Sequence, residues 1–490
     1  MVEKRKKYRP AKLLTVWIAL AILLQANDIV AQTLFFERVF DESLAQASYV
    51  IGSMETREAI VIDPKRDIDT YLEIAESNNL EITRVTETHI HADFLSGSQE
   101  LAAATGAELL LSAEGGADWQ YEFAHTPLND GDRITIGNLV LMVMHTPGHT
   151  PESITFLLID TTVSEKPQKA LTGDFVFVGD VGRPDLLEKA GGQAGTAEGG
   201  ARQLYWSIQR FSELPDELEI WPGHGAGSFC GRTLSNVSQS TLEQEKLSNK
   251  AFQFKGNEQG FVDYLLEGQP HVPNYFAVMK QLNKAHRPLL IEIPRYPKLD
   301  GKAFLRAWGN GLQVVDTRNK DEIADGSIPG SLHIEGNKSF ATWMGSLLDY
   351  QQQLILVADD EQVEALTRKL MRIGMDNVYG YVSDVAHLGV ALEKPDIIGI
   401  DAFKSRKDRN DVQVIDVRTE GEYHAGHING AVNLPLATLG ANLDKVSKDK
   451  EVIIHCQSGA RAAIAYSILR KNGFENIKNY PGGMNEWKGR

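Results

Sequence analysis

Cysteine is almost absent from this chain: Cys230 and Cys456 are the only two in 490 residues. No disulfide framework is available, so each thiol is weighed as a reagent or as a packed apolar side chain. Positive charge is also in deficit. Fifty Lys and Arg against 66 Asp and Glu leave a net charge of -16, which excludes the broad basic surface of a nucleic-acid binder. Long apolar runs are missing too. The run over residues 13–24 falls short of the about 20 residues that cross a bilayer. It follows Lys4, Arg5, Lys6, Lys7, Arg9 and Lys12, and small Ala31 precedes Gln32. That is the layout of a secretory signal peptide over residues 1–31. Export to a periplasm, with no stable membrane span after processing, is therefore expected. An uncleaved anchor, or a cytoplasmic protein begun too far upstream, is the alternative.

What is present is ordinary globular composition, 42% hydrophobic and 24% charged, in a chain long enough for three domains. Over residues 33–245 strand-like runs at 48–51, 58–62, 108–111, 139–144 and 153–159 alternate with helical patterning, as at 68–77, which predicts an α/β fold. Residues 246–300 read as an extension and linker with helical fragments and no motif that carries chemistry. From about residue 301 the chain repeats itself. Val314-Val315-Asp316-Thr317-Arg318 lies a hundred residues before Val414-Ile415-Asp416-Val417-Arg418, and Gly326 to Gly330 has the same offset to Gly426 to Gly430. Two copies of one β/α unit, 301–400 and 401–490, are expected.

Reactive residues recur just after the strands of the first domain. Thr88-His89-Ile90-His91-Ala92-Asp93-Phe94 follows one of them, His149 lies in Thr146-Pro147-Gly148-His149, Asp174 follows Gly173, and His224 follows Pro222-Gly223. Two imidazoles and a carboxylate at alternate positions of a loop can converge on a metal ion, and sheets place their sites outside strand ends. Solvated loop residues are the plainer reading of His-x-His-x-Asp taken alone.

Four such motifs in this order resemble the metallo-β-lactamase superfamily, which implies an αββα sandwich. Two-metal members have a histidine where this chain has Phe94, and a phenyl ring has no lone pair to give, so the second metal position is expected to be empty. Thr-His-Ile-His-Ala-Asp, Thr-Pro-Gly-His-Thr-Pro-Glu-Ser and Gly182-Arg183-Pro184-Asp185 look like the persulfide dioxygenase branch. The resemblance implies one iron(II) per chain on His89, His149 and Asp174, a set that suits non-haem iron and leaves positions open. It places His91, Asp93 and His224 around these ligands as orienting partners. Arg183 either holds a carboxylate of the carrier thiol or pairs with Asp185. His145 reads as a packed strand-end residue. Glutathione-using relatives carry a tyrosine after the last histidine motif where this chain has Gly225-Ala226-Gly227, which leaves the carrier open, glutathione and coenzyme A included. Cys230 either lines the pocket or is an inert buried thiol.

The second repeat has Cys456-Gln457-Ser458-Gly459-Ala460-Arg461 between a strand and a helix. The first repeat has Ala358-Asp359-Asp360 there and no cysteine. A cysteine at a strand end, followed by inward amides and a helix N-terminus, has a stabilised thiolate. With Asp416, Arg418, Glu422-Tyr423, Gly426-His427-Ile428 and Pro481-Gly482-Gly483-Met484, this loop resembles the rhodaneses. Their six-residue loop is one shorter than that of related phosphatases. The resemblance implies sulfur transfer on Cys456 with Arg461 orienting an anionic sulfur species, and a first copy that is a pseudo-rhodanese. The whole order resembles fused bacterial sulfide-detoxification enzymes. It implies oxidation of a thiol persulfide by O2 to sulfite, then transfer of sulfane sulfur by Cys456 to sulfite, giving thiosulfate. A dinuclear zinc thioester hydrolase of the glyoxalase type and a non-catalytic sulfane-sulfur carrier are the competing readings. Oligomeric state is open, a homo-oligomer included.

Overall fold

The computed structural model describes residues 33–191, 195–269 and 271–489; the leader read at residues 1–31 lies outside them. Among the described residues no helix is long and apolar enough to cross a membrane.

The first domain is the expected sandwich. One sheet runs in the order β1 (Leu34–Asp41), β2 (Gln46–Ser53), β3 (Glu58–Ile62), β4 (Glu81–Thr86), β5 (Glu108–Ser112) and β6 (Thr126–Leu128). The other holds β7 (Arg133–Ile136), β8 (Leu139–His145), β9 (Ile154–Asp160), β10 (Lys169–Gly173), β11 (Glu219–Pro222) and β12 (Ser240–Thr241). Side chains alternate across each strand, so β2 sends Ala47, Tyr49 and Ile51 into the space between the sheets, where Ile154, Phe156 and Leu158 of β9 meet them. Val50 of β2 points the other way, onto Tyr71 and Ala75 of the helix Asp69–Ser77. Leu157 of β9 packs on Leu204, Ile208 and Phe211 of the helix Thr196–Phe211. Each of the Ile, Leu, Val and Phe side chains among them contributes about 1.5–3 kcal/mol by burial.

The two repeats have one topology. The first is a parallel sheet of β14 (Leu332–His333), β13 (Gln313–Asp316), β15 (Leu354–Val357) and β16 (Val378–Val382). The second orders β18 (Val432–Asn433), β17 (Val412–Asp416), β19 (Glu451–His455) and β20 (Ile477–Asn479) identically. Register makes the correspondence exact to the residue: Asp316 faces Val357 and Asp416 faces His455, so Ala358 stands where the second copy has Cys456.

The cysteine-less copy docks on the first domain through ions and backbone. Arg66, fully buried, bonds Glu100 at 3.0 Å and Asp376 at 2.8 Å, and Arg372 bonds Asp41 at 2.7 Å. The Leu95 amide donates to the Arg372 carbonyl at 2.7 Å, one residue beyond the Thr88–Phe94 stretch. The helix Phe276–Lys284 lies in the same seam, with Tyr275, Phe276 and Met279 in a core shared with Phe94, Leu95, Met344 and Met375.

Candidate metal centre and sulfur-transfer loop

His89, His91 and Asp93 leave the end of β4, His149 follows β8, Asp174 follows β10 and His224 follows β11, so one rim of the sandwich gathers all six. The ligand atoms of His89, His149 and Asp174 lie within 4.8 Å of one another, all buried. His149 Nε2 is 3.5 Å from Asp174 Oδ2, and His89 Nε2 is 3.9 Å from it. Gly173 makes the approach possible. Its φ of +51° favours glycine, and a Cβ there would meet Thr88 Oγ1 at 2.3 Å.

Hydrogen bonds fix which ring nitrogen faces inward. The Thr88 hydroxyl donates to Asp63 at 2.8 Å, so it accepts from His89 Nδ1–H at 3.0 Å and leaves the Nε2 lone pair free. His149 Nδ1–H donates to the Arg183 carbonyl at 3.0 Å with the same result. Burial and the neighbouring imidazoles hold His89 well below the usual histidine pKa; burial lowers His149 too, against the pull of Asp174. Both rings are neutral, the form that ligates. His89 Nε2 and both Asp174 oxygens are buried without a hydrogen-bond partner. Orphaned lone pairs are costly in a dry site unless a cation takes them, so the residues present fit a metal ion.

His91 stands apart from this set. Its Nε2 bonds Asp63 at 3.0 Å. Burial pulls its pKa down, but the charge and hydrogen bond of Asp63 outweigh that and lift it to about 9, and His91 belongs to neither group of converging ligand atoms. Asp63, which no motif flags, ties His91 and Thr88 together from a positive φ of 54°. Phe94 is fully buried, its ring 4.3 Å from that of His91.

A second group is better formed than the phenylalanine led us to expect. Asp93, His224 and Cys230 also bring ligand atoms within 4.8 Å of one another. His224 Nδ1–H donates to the Ala45 carbonyl at 3.0 Å, and its Nε2 lies 3.2 Å from Asp93 Oδ2 and 3.5 Å from Asp174 Oδ1. Cys230 thus faces the site. Burial, with Asp174 and Asp93 beside it, pushes its thiol pKa up.

Arg183 takes the second of the two roles weighed for it. Its guanidinium grips Asp185 with two bonds of 2.7 Å and also bonds the Phe229 carbonyl, fully buried, so no fork is left for a carrier's carboxylate. His145, half-buried, bonds the Pro151 carbonyl and takes no part.

Two further residues matter that the sequence did not single out. Asn283, in the segment read as a linker without chemistry, donates to the carbonyls of His91 at 2.7 Å and Phe94 at 2.8 Å and accepts the Ser96 amide. Asn283→Ala strands three buried groups at about 1–3 kcal/mol each. We expect a lower unfolding midpoint and metal affinity reduced by about 10- to 100-fold, read by calorimetry and metal titration. Glu152, buried beneath the same loop, accepts from the Ile90 amide and the Thr150 hydroxyl, and burial raises its pKa to about 7 from 4.5. Between those values the folded protein holds a proton that the unfolded chain has released, so stability falls as pH rises through the window. Glu152→Gln should flatten that fall, measured as urea midpoints at about pH 5 and about pH 8.

In the last domain Cys456 sits just past β19, with its Sγ accepting the Gly459 amide at 3.1 Å. Gly459 has φ +93°, and a Cβ there would strike the Pro481 carbonyl at 2.5 Å. Asp416 and Arg418 form a buried fork that reaches the Gly426 carbonyl. Asp316 and Arg318 repeat it onto Gly326 in the copy without a thiol, which marks the pair as scaffold. Arg461 is not free for a substrate anion. Glu422 takes its guanidinium at 2.6 and 2.7 Å; burial opposes the Glu422 charge, but Arg461 holds its pKa down at about 2.

Residues 43–224 match the family model described as Metallo-beta-lactamase superfamily. Residues 303–385 and 400–490 match that of the Rhodanese-like domain. The bovine (Bos taurus) mitochondrial persulfide dioxygenase ETHE1 is 30% identical over 226 residues, 44% of this chain and 77% of that protein. This chain belongs to the metallo-β-lactamase superfamily. Its superfamily domain is followed by two rhodanese-like domains, as the resemblance implies. A crystal structure described as a metallo-β-lactamase from Staphylococcus aureus is 40% identical, covers 72% of this chain and all of that one, and superposes with a TM-score of 0.67. The uncharacterized protein YqhL of Bacillus subtilis is 42% identical over 78 residues, 16% of this chain and 62% of its own length.

Proposed function

We propose that the chain is a persulfide dioxygenase joined to a sulfurtransferase. Its first centre is a single iron(II) on His89, His149 and Asp174. Its second is Cys456. One observation carries the reading: two imidazoles and one carboxylate converge, all buried, with His89 Nε2 and both Asp174 oxygens left without a partner, a set that suits non-haem iron. Held there, iron(II) would supply the redox chemistry by which dioxygen oxidises the sulfane sulfur of a low-molecular-weight thiol persulfide to sulfite. The chain's own residues prepare the site. Thr88 and the Arg183 carbonyl set the rings, Asp63 anchors Thr88, and the buried shell keeps water from competing.

Cys456 then takes sulfane sulfur from a second persulfide and passes it to sulfite as thiosulfate. Sulfite made and used within one molecule gains from a high local concentration, which gives the fusion a purpose. Working outside the cytoplasm, a reactive thiol would need protection from oxidants. Export follows from the leader alone, and N-terminal sequencing that finds Gln32 first would support it.

The cluster of Asp93, His224 and Cys230 favours a second reading, the dinuclear zinc hydrolase, with Asp174 turning one oxygen toward each group. Metal analysis with an oxygen electrode separates the two. One iron per chain and oxygen uptake with glutathione persulfide is the expected result. Two zinc ions and no uptake overturns the dioxygenase.

A further inference from the structure

A cavity of about 560 Å³ lies in the seam between the first domain and the cysteine-less copy, and none of its lining residues belongs to either centre. Its size falls inside the about 300–1,000 Å³ typical of small-molecule sites, and domain seams are where such sites gather. Three segments wall it. Ile68 comes from the first domain, just before the helix Asp69–Ser77; residues 290–296 form an extended stretch; and the helix Val363–Met371 belongs to the cysteine-less copy. Ile68, Ile293, Val363 and Met371 make much of this lining apolar.

Two polar groups on the lining are incompletely used. Arg66, only 2% exposed, spends its Nε on Glu100 at 3.0 Å and its Nη1 on Asp376 at 2.8 Å and the Met371 carbonyl at 3.3 Å. Among the described residues nothing accepts from its Nη2. The Tyr296 hydroxyl is buried and bonds nothing at all. Burial, with Asp376 nearby, pushes this hydroxyl up to about 12 against the pull of Arg66, so at neutral pH it is a donor. Both groups ask for an acceptor, and the cost of leaving a buried donor unpaired falls away when one arrives.

The remaining charges narrow the choice. Five carboxylates and three guanidinium groups line the cavity, an excess of negative charge. Asp67 is taken by Arg372, Asp69 by Arg368 and Asp360 by Lys298. Glu364, largely exposed, only shares Arg368 with Asp69, while exposed Glu292 and Arg295 offset one another. A bare anion therefore meets repulsion that a molecule carrying an ammonium as well does not.

We propose that this cavity binds an apolar zwitterion of dipeptide to tripeptide size, a short peptide with free ends. Its carboxylate accepts from Arg66 Nη2 and the Tyr296 hydroxyl, its side chains lie on Ile68, Ile293 and Met371, and its ammonium faces Glu364. Arg66 holds Glu100 of the first domain and Asp376 of the copy, so an occupied cavity braces the two against each other.

The test is calorimetric titration of the full-length protein with trileucine, trileucine amide and N-acetyl-trileucine, with thermal unfolding followed in each. Trileucine should bind once per chain and raise the unfolding midpoint as its concentration grows. The amide lacks the carboxylate and should bind at least about tenfold more weakly; the N-acetyl form loses an exposed ion pair and should bind about two- to fivefold more weakly. Tyr296→Phe deletes an oxygen that has no partner in the free protein, so the ligand-free midpoint should hold while affinity for trileucine falls about fivefold or more. Ile293→Trp fills the cavity from the extended stretch and should abolish binding. If trileucine does not bind, or binds both variants as it binds the wild type, the inference is overturned. Equal binding of the amide or of the N-acetyl form overturns the ligand class and the inference with it. A lower ligand-free midpoint in Tyr296→Phe overturns it too, because the hydroxyl then serves the fold.

Discussion

Replacing His89 with alanine should abolish oxygen uptake and empty the first centre while leaving sulfur transfer from thiosulfate intact. The ring supplies one of three ligand atoms, and its Nε2 is buried with nothing else to bond. Removing even an outlying partner of a metal ligand costs about 10- to 100-fold in affinity or activity, so loss of a ligand should exceed about 100-fold. Iron content and uptake should fall together. The thiol loop lies in a separate sheet and should not register the change. Full uptake by this variant would remove the iron assignment.

Cys456→Ser should give the converse pattern. A serine hydroxyl can still accept the Gly459 amide, so the loop should keep its shape, but it cannot carry a sulfane sulfur. Thiosulfate formation should drop to background while oxygen uptake with glutathione persulfide stays within about twofold of wild type, so sulfite accumulates. Chromatography of the sulfur anions reads both quantities at once. If sulfite already builds up with the wild-type protein in excess persulfide, the two centres are not coupled. The pair of variants also separates the competing classes: a pure sulfur carrier consumes no oxygen in any form, and a zinc hydrolase has no uptake to lose.

Much of the architecture was legible because it is local. His89, His91 and Asp93 share one short loop, alternation marks β2 and β9, and the hundred-residue echo announces two copies of one unit. What escaped notice depends on contacts between distant segments. Asn283 meets the His91 carbonyl across 192 residues, and nothing in its surroundings sets it apart from other polar residues of a helix. Cys230 joins Asp93 only because the loop after β11 folds back over the rim, which spacing does not encode. The motif points Arg461 at the substrate, whereas the structure gives its fork to Glu422, which the sequence marks only as part of a pattern. β7 alternates over only four residues and β1 shows no clear alternation, so neither is marked out by the sequence, yet both complete the sheets.

The hold of residues 371–376 on the first domain has a consequence for how this protein can change. The middle copy lost its thiol, but Arg66 remains a buried cation whose partner Asp376 belongs to that copy, and the Leu95 amide depends on the Arg372 carbonyl. Removing that copy would therefore leave a buried guanidinium without its second carboxylate and a backbone amide next to the His89–Phe94 loop without its acceptor, so the two domains stand or fall together.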